Sequence, residues 1–193
     1  MSATFASTIC QKISSSQLSS NAESRLELDS HADSPVLGRD ATIVMKTGRF
    51  VSVRGFTDEL GAPIRVPVVS GVIAYECKLT GKKYLLHVRN SLHIPSMNNH
   101  LIPPIMMRLA GVIVNECPKF LSRTPSIEDL SIYFPEENLR FPLLLSGTTS
   151  YLPVVNSKFE VDNLDLLELT PQCEVWNPHT NVFQEQEEAM MDY

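Results

Sequence analysis

The sequence predicts a mainly-β fold: a compact closed barrel carrying one short helix in its body. Three observations predict it. Ile64, Val66 and Val68 alternate with Arg65 and Pro67, the two-residue period of a strand with one buried face. Leu79-Thr80-Gly81-Lys82 reads as a tight hairpin between two apolar runs. Short apolar stretches recur at close spacing, and within the body only the stretch after Pro103-Pro104 changes to a helical repeat.

Taken in order, Ala41 to Met45 is a short strand, Thr47-Gly48 a turn, and Phe50, Val51 and Val53 a second strand. Asp58-Glu59-Leu60-Gly61 is a turn, and Val72 to Tyr75 extends the alternating strand that begins at Ile64. Tyr84 to Val88 follows the hairpin, and Leu92-His93-Ile94-Pro95 closes a strand. Proline is favoured in the first helical turn and glycine just past the last, so Pro104 and Gly111 bracket a helix. Ile105, Met106, Leu109 and Ala110 form its apolar stripe, and Met106 and Met107 are expected to fill core space. Val112 to Val114, Ile132 to Phe134 and Phe141 to Leu145 resume strand, and Gln184 to Met191 is a terminal helix.

Length and charge divide the chain. With 193 residues, 43% hydrophobic and 20% charged, it can build one sizeable core with extensions. Residues 156–193 carry nine acids and one base, a net of −8, whereas residues 1–155 carry 13 acids and 15 bases, a net of +2. Four segments are therefore expected: a flexible N-terminal segment 1–23, a domain 24–115, additional strands 116–155 packed on it, and an acidic tail or linker 156–193. The overall charge of −6 argues against direct nucleic-acid binding. No apolar run approaches the roughly 18–20 residues of a membrane span. The Ser- and Thr-rich start predicts no secretory or transit signal. Cys10, Cys77, Cys117 and Cys173 are far apart, which predicts reduced thiols in the cytosol or nucleus.

The chemistry sits in Leu28-Asp29-Ser30-His31-Ala32-Asp33-Ser34-Pro35-Val36. An apolar strand runs into Asp-Ser, a second Asp, and then apolar residues. Aspartic proteases need a carboxylate in a tight turn at a strand end, facing a twin. Like charges about 3 Å apart cannot both ionise, so the pair shares one proton. One member then works as base on water and the other as acid on the carbonyl. With a single Asp-Ser-x-Ala in the chain, the twin has to come from a second copy, so a homodimer is expected.

These residues resemble the retropepsin-like aspartic proteases of retroelement polyproteins, especially copia-type retrotransposons, whose motif is hydrophobic-Asp-(Ser/Thr)-Gly-Ala-(Asp/Thr/Ser). Leu92-His93-Ile94-Pro95-Ser96-Met97-Asn98-Asn99-His100-Leu101-Ile102 is similar to a second segment of those polyproteins, which packs under the catalytic turn and precedes a short helix. The resemblance covers residues 24–115 and implies a retropepsin-like closed barrel, with the hairpin from Arg54 to Arg65 as its flap. It implies Asp29 as the catalytic aspartate, Ser30 as the hydroxyl that braces it, Ala32 and Asp33 as contacts to substrate backbone, and Val36 as the lining of a specificity pocket. Two positions depart from the pattern: His31 stands for the glycine of the turn, where positive φ would resist it, and Pro103 for the glycine after Leu101-Ile102.

The function implied is an aspartic endopeptidase of a retrotransposon Gag-Pol polyprotein, provided that the turn accepts His31. Its substrate is polypeptide, its own polyprotein, with no metal or cofactor. Its place is the cytoplasm in a virus-like particle, or the nucleus. The alternative is a degenerate protease-like binding or assembly domain, and a third option is a metal-dependent hydrolase. Asp29-Ser30 alone also fits a helix N-cap or a turn. Asp29, His31 and Asp33 make an incomplete metal set. His87, His93 and His100 read as strand or loop residues. Lys82-Lys83 is a solvated turn, and Ser146 to Ser150 lacks the ending of a phosphate loop. Trp176 is expected to anchor the tail by burial.

Overall fold

The computed structural model describes residues 2–4, 24–54, 63–155 and 164–191. The N-terminal segment 5–23, the tip of the expected flap at 55–62 with its Asp58-to-Gly61 turn, and residues 156–163 lie outside the described residues. The strands are β1 (Ser2–Thr4), β2 (Arg25–Leu28), β3 (Val36–Leu37), β4 (Thr42–Arg54), β5 (Ile64–Glu76), β6 (Lys83–His93), β7 (His100–Ile102), β8 (Ile113–Asn115), β9 (Ser131–Phe134), β10 (Leu139–Pro142), β11 (Leu144–Ser146), β12 (Thr149–Pro153) and β13 (Asp165–Glu168). Two α-helices accompany them, α1 (Pro104–Leu109) and α2 (Val182–Met191). The molecule is mainly β, as expected.

The main sheet runs β1-β4-β5-β6-β3-β7-β2-β12-β11, with β13 on the edge of β6 that β3 leaves open. β8, β9 and β10 form a second, three-stranded sheet. The expected closed barrel is not what the ladders trace. The order is an open path among the described residues, and only one bond beyond the ladders, Val155 N–H to Ala74 O at 3.0 Å, joins the end of β12 to β5. Tyr75 of β5 and Leu152 of β12 share one buried cluster.

Two further expectations change. Thr47-Gly48 is not a turn, because β4 runs unbroken through it. Gly48 takes φ +74, and the register against β5 shifts there, so the dipeptide is absorbed as a bulge. Thr47 Oγ1 keeps it in the ladder by donating to Val68 O at 2.6 Å and accepting from Arg49 N–H. On α1 the buried face is Met106 and Met107, whereas Ile105 and Leu109 are exposed. Pro103 is extended at φ −67 before the helix, and Gly111 takes φ +84 after it, so proline and glycine bracket the helix for the reasons expected.

One core spans both halves of the body. Leu26 and Leu28 of β2 share it with Ile132 of β9, Phe141 of β10 and Leu152 of β12. Phe141 is fully buried and packs its ring 4.6 Å from Tyr75, 5.1 Å from Tyr84 and 5.3 Å from Phe134. The tail is not a separate linker throughout. β13 pairs in parallel with β6, and Leu167 and Leu169 enter the same core. Glu168 fixes the strand: it accepts from Arg89 Nη2 at 2.7 Å and lies 2.9 Å from His87 Nδ1. Burial pushes that carboxyl up, but the hydrogen bonds from Arg89 and His87 outweigh it and hold it below the usual carboxylate range. No helix among the described residues is long and apolar enough to cross a membrane.

Candidate active site

The site is built at the C-terminal end of β2. β2 lies in parallel against β7 and antiparallel to β12. Its last ladder bond is made by the aspartate itself: Asp29 N–H donates to Ile102 O at 3.0 Å. The chain then turns, and Ala32 N–H donates to Asp29 O at 3.2 Å. Leu101 and Ile102, from the second motif, thus lie directly beside the turn. The carboxylate of Asp29 is 7% exposed and accepts the His31 N–H at 2.9 Å on Oδ1.

His31 meets no backbone penalty in this turn. The described non-glycine residues with positive φ are Asn90, Leu130 and Asn138, so His31 occupies ordinary φ and gives Asp29 the amide that any residue can give. Its ring is 77% exposed, with Nδ1 3.9 Å from Asp29 Oδ1. Ser30 is exposed, and its hydroxyl lies 3.5 Å from His31 Nδ1 rather than on the Asp29 carboxylate of its own chain. Ala32 is buried, and Asp33 is half-buried, with its carbonyl facing the tail.

Val36, expected to line a pocket, does not. It is fully buried, paired with Leu92 and Leu101, within a small apolar cluster containing Val53, Val66 and Val68. A cavity of about 400 Å³ is lined by Ser34, by Phe50 and Val51 of β4, by Val68 of β5, and by Asn90 and Leu92 of β6, and Asp29 is not among its lining residues. Val36 packs behind that wall.

Several residues around the turn carry more than their sequence signals. Glu27 is buried on β2, two residues before the aspartate, and accepts from Asn99 Nδ2 at 2.9 Å. His100 is fully buried on β7. Its Nδ1 accepts Gly38 N–H at 3.1 Å, while Nε2 lies 3.3 Å from Ser24 Oγ, whose own proton goes to Asn98 O. That network suits a neutral ring, and burial pushes its pKa down to about 4 against a weaker upward pull from Asp40. Gly38 has to be glycine, because a Cβ there would stand 2.6 Å from both Asn99 O and Met97 O. Asn90 sits in β6 at φ +52, at the irregularity between Val69 and Gly71 in the β5 register, and this aims its amide out of the ladder.

Among the described residues there is no group of three or more His, Cys, Asp or Glu side chains placed to hold a metal. No family model, curated protein or solved structure matches the chain.

Proposed function

We propose that the chain is an aspartic endopeptidase domain of a retrotransposon polyprotein, hydrolysing peptide bonds as a homodimer. The observation that carries this reading is the position of Asp29. It is a sheltered carboxylate at a strand end, amide-capped by His31, and Ser34, a few residues on, lines a cavity with Phe50 and Val51 of β4. In the dimer the two Asp29 carboxyls face each other and hold one proton between them. The ionised member takes a proton from water as its oxygen bonds to the scissile carbonyl carbon. The protonated member gives its proton to the carbonyl oxygen. The resulting gem-diol collapses, the C–N bond breaks, and the leaving amine takes a proton from the pair. Ser30, exposed at the turn, braces the opposite carboxyl across the axis. Asp33 and Ala32 meet the substrate backbone.

Fluorogenic octapeptides tested with the purified full chain at mildly acidic pH check the reading. Cleavage that pepstatin blocks, and that Asp29→Asn abolishes without changing the circular dichroism spectrum, is expected. Turnover that persists in Asp29→Asn would refute the assignment. The second reading, a protease-like binding or assembly domain, is favoured by one observation: the chain's own tail lies across the cavity, with Trp176 Nε1 donating to Asp33 O at 2.8 Å. A monomer with no cleavage of any peptide selects it.

A further inference from the structure

The tail divides at Pro171. Before it, β13 and Leu169 are locked into sheet and core, and Thr170 Oγ1 accepts Arg89 N–H at 2.7 Å. After it, residues 172–179 run without sheet pairing across the mouth of the cavity, where Val175, Trp176, Pro178 and His179 form part of its wall. The body holds this run chiefly by its backbone. Asn90 Nδ2 donates to Cys173 O at 2.9 Å, and Arg49 Nη2 donates to Glu174 O at 3.1 Å and to Asn90 Oδ1 at 2.6 Å. An aromatic side chain anchors it as well: Trp176 bonds Asp33 O at 2.8 Å, and its ring centroid lies 5.8 Å from that of Phe183. α2, which follows, has no buried residue.

This is how a groove holds an extended peptide: carbonyls captured by polar side chains and a bulky aromatic group seated. The strained φ of Asn90 gains a purpose in it, since the kink is what turns the amide toward Cys173. We propose that residues 172–179 are a resident peptide ligand of the groove, a strap that covers it in cis and yields to an extended peptide carrying a large aromatic side chain. The proposal rests on the protease reading for what happens after the strap leaves, but not for the occupancy itself. The strap can release without unfolding the body, because β13 anchors the chain upstream of it.

The chain has one tryptophan, so its emission reports the strap alone. The test uses the full chain and a synthetic peptide of residues 172–180 carrying Trp176→Phe. Saturating peptide is expected to shift the emission to the red and open Trp176 to acrylamide quenching. The double variant Arg49→Ala with Asn90→Gly, which keeps the backbone angle that glycine accepts, is expected to show the red shift without peptide. Trp176→Ala removes the strap's seated group and leaves Arg49 and Asn90 in place, so a labelled aromatic peptide unrelated in sequence should bind that variant about tenfold more tightly than the parent, as expected when a closed state that holds about nine-tenths of the molecules is removed. A wild-type Trp176 as open to quencher as the free segment, or emission unmoved by saturating peptide, would overturn the proposal. Displacement without hydrolysis sinks the protease reading and leaves the strap, whereas hydrolysis without displacement does the reverse.

Discussion

The turn at Asp29 and the strap at Trp176 meet at Asp33, whose carbonyl accepts the Trp176 indole N–H, and are held by opposite means. The turn is knitted into the sheet: Asp29 N–H completes the β2–β7 ladder, and β2 contributes Leu26 and Leu28 to the main core. The strap leans on the surface through a few polar bonds to Asn90, Arg49 and Asp33 and ends in a helix that buries nothing. Local stability follows buried apolar contact and shielded backbone bonds. A rigid carboxylate beside a removable cover is the arrangement a site needs if its chemistry must be fixed and its access variable.

Substitutions on the two sides should separate by size. Phe141→Ala, at the centre of the aromatic cluster that joins β10 to β5 and β6, should destabilise the fold by about 3–5 kcal/mol in urea titration. A value below about 1 kcal/mol would mean that strands 131–153 are not part of the same core. Acid should act next. Because folding lowers the His100 pKa to about 4, the unfolded chain binds the proton first. The stability this residue supports is therefore complete above the ordinary histidine range and lost as pH falls from about 6.5 toward 4, by about 3 kcal/mol. His100→Gln should flatten that slope, and an unchanged slope would remove His100 from the account.

Gly38→Ala comes third. The added methyl meets two backbone carbonyls that cannot swing aside, so a cost of about 1–3 kcal/mol is expected, with loss of the amide bond to His100. Trp176→Ala is the smallest. It should alter stability by less than about 1 kcal/mol, while a fluorescent aromatic peptide binds more tightly. A global destabilisation as large as that of Phe141→Ala would make the strap part of the core and erase the contrast between the two regions.

The sequence made some of this legible and hid the rest for physical reasons. The Asp29 turn, the hairpin at Gly81 and the brackets of α1 were readable because they depend on local chemistry: a strand end, a positive φ, a missing N–H. Continuity of β4 was not, because Thr47-Gly48 carries turn residues yet is absorbed as a bulge once Thr47 bonds Val68 O. The tail misled by its charge. Nine acids suggested a solvated linker, but Leu167 and Leu169 alternate among them and Arg89 neutralises Glu168, so part of it became a strand. Asn90 gave no signal, since its role depends on a kink within an apolar run and on a partner 83 positions away. Val36 was expected on a pocket wall but is fully buried beside Val68 and Leu92, neighbours from other strands that no local signal names.

The pairing of Asp29 across two copies is tested most directly by mixing. Wild-type chain is re-equilibrated with an equal amount of the Asp29→Asn chain, and peptide hydrolysis is compared with that of wild type at the same total concentration. If each active unit needs both carboxyls, random pairing leaves about one quarter of the dimers, and about one quarter of the rate. A rate of one half, in proportion to the wild-type chain present, would show that a single Asp29 suffices and would contradict the account.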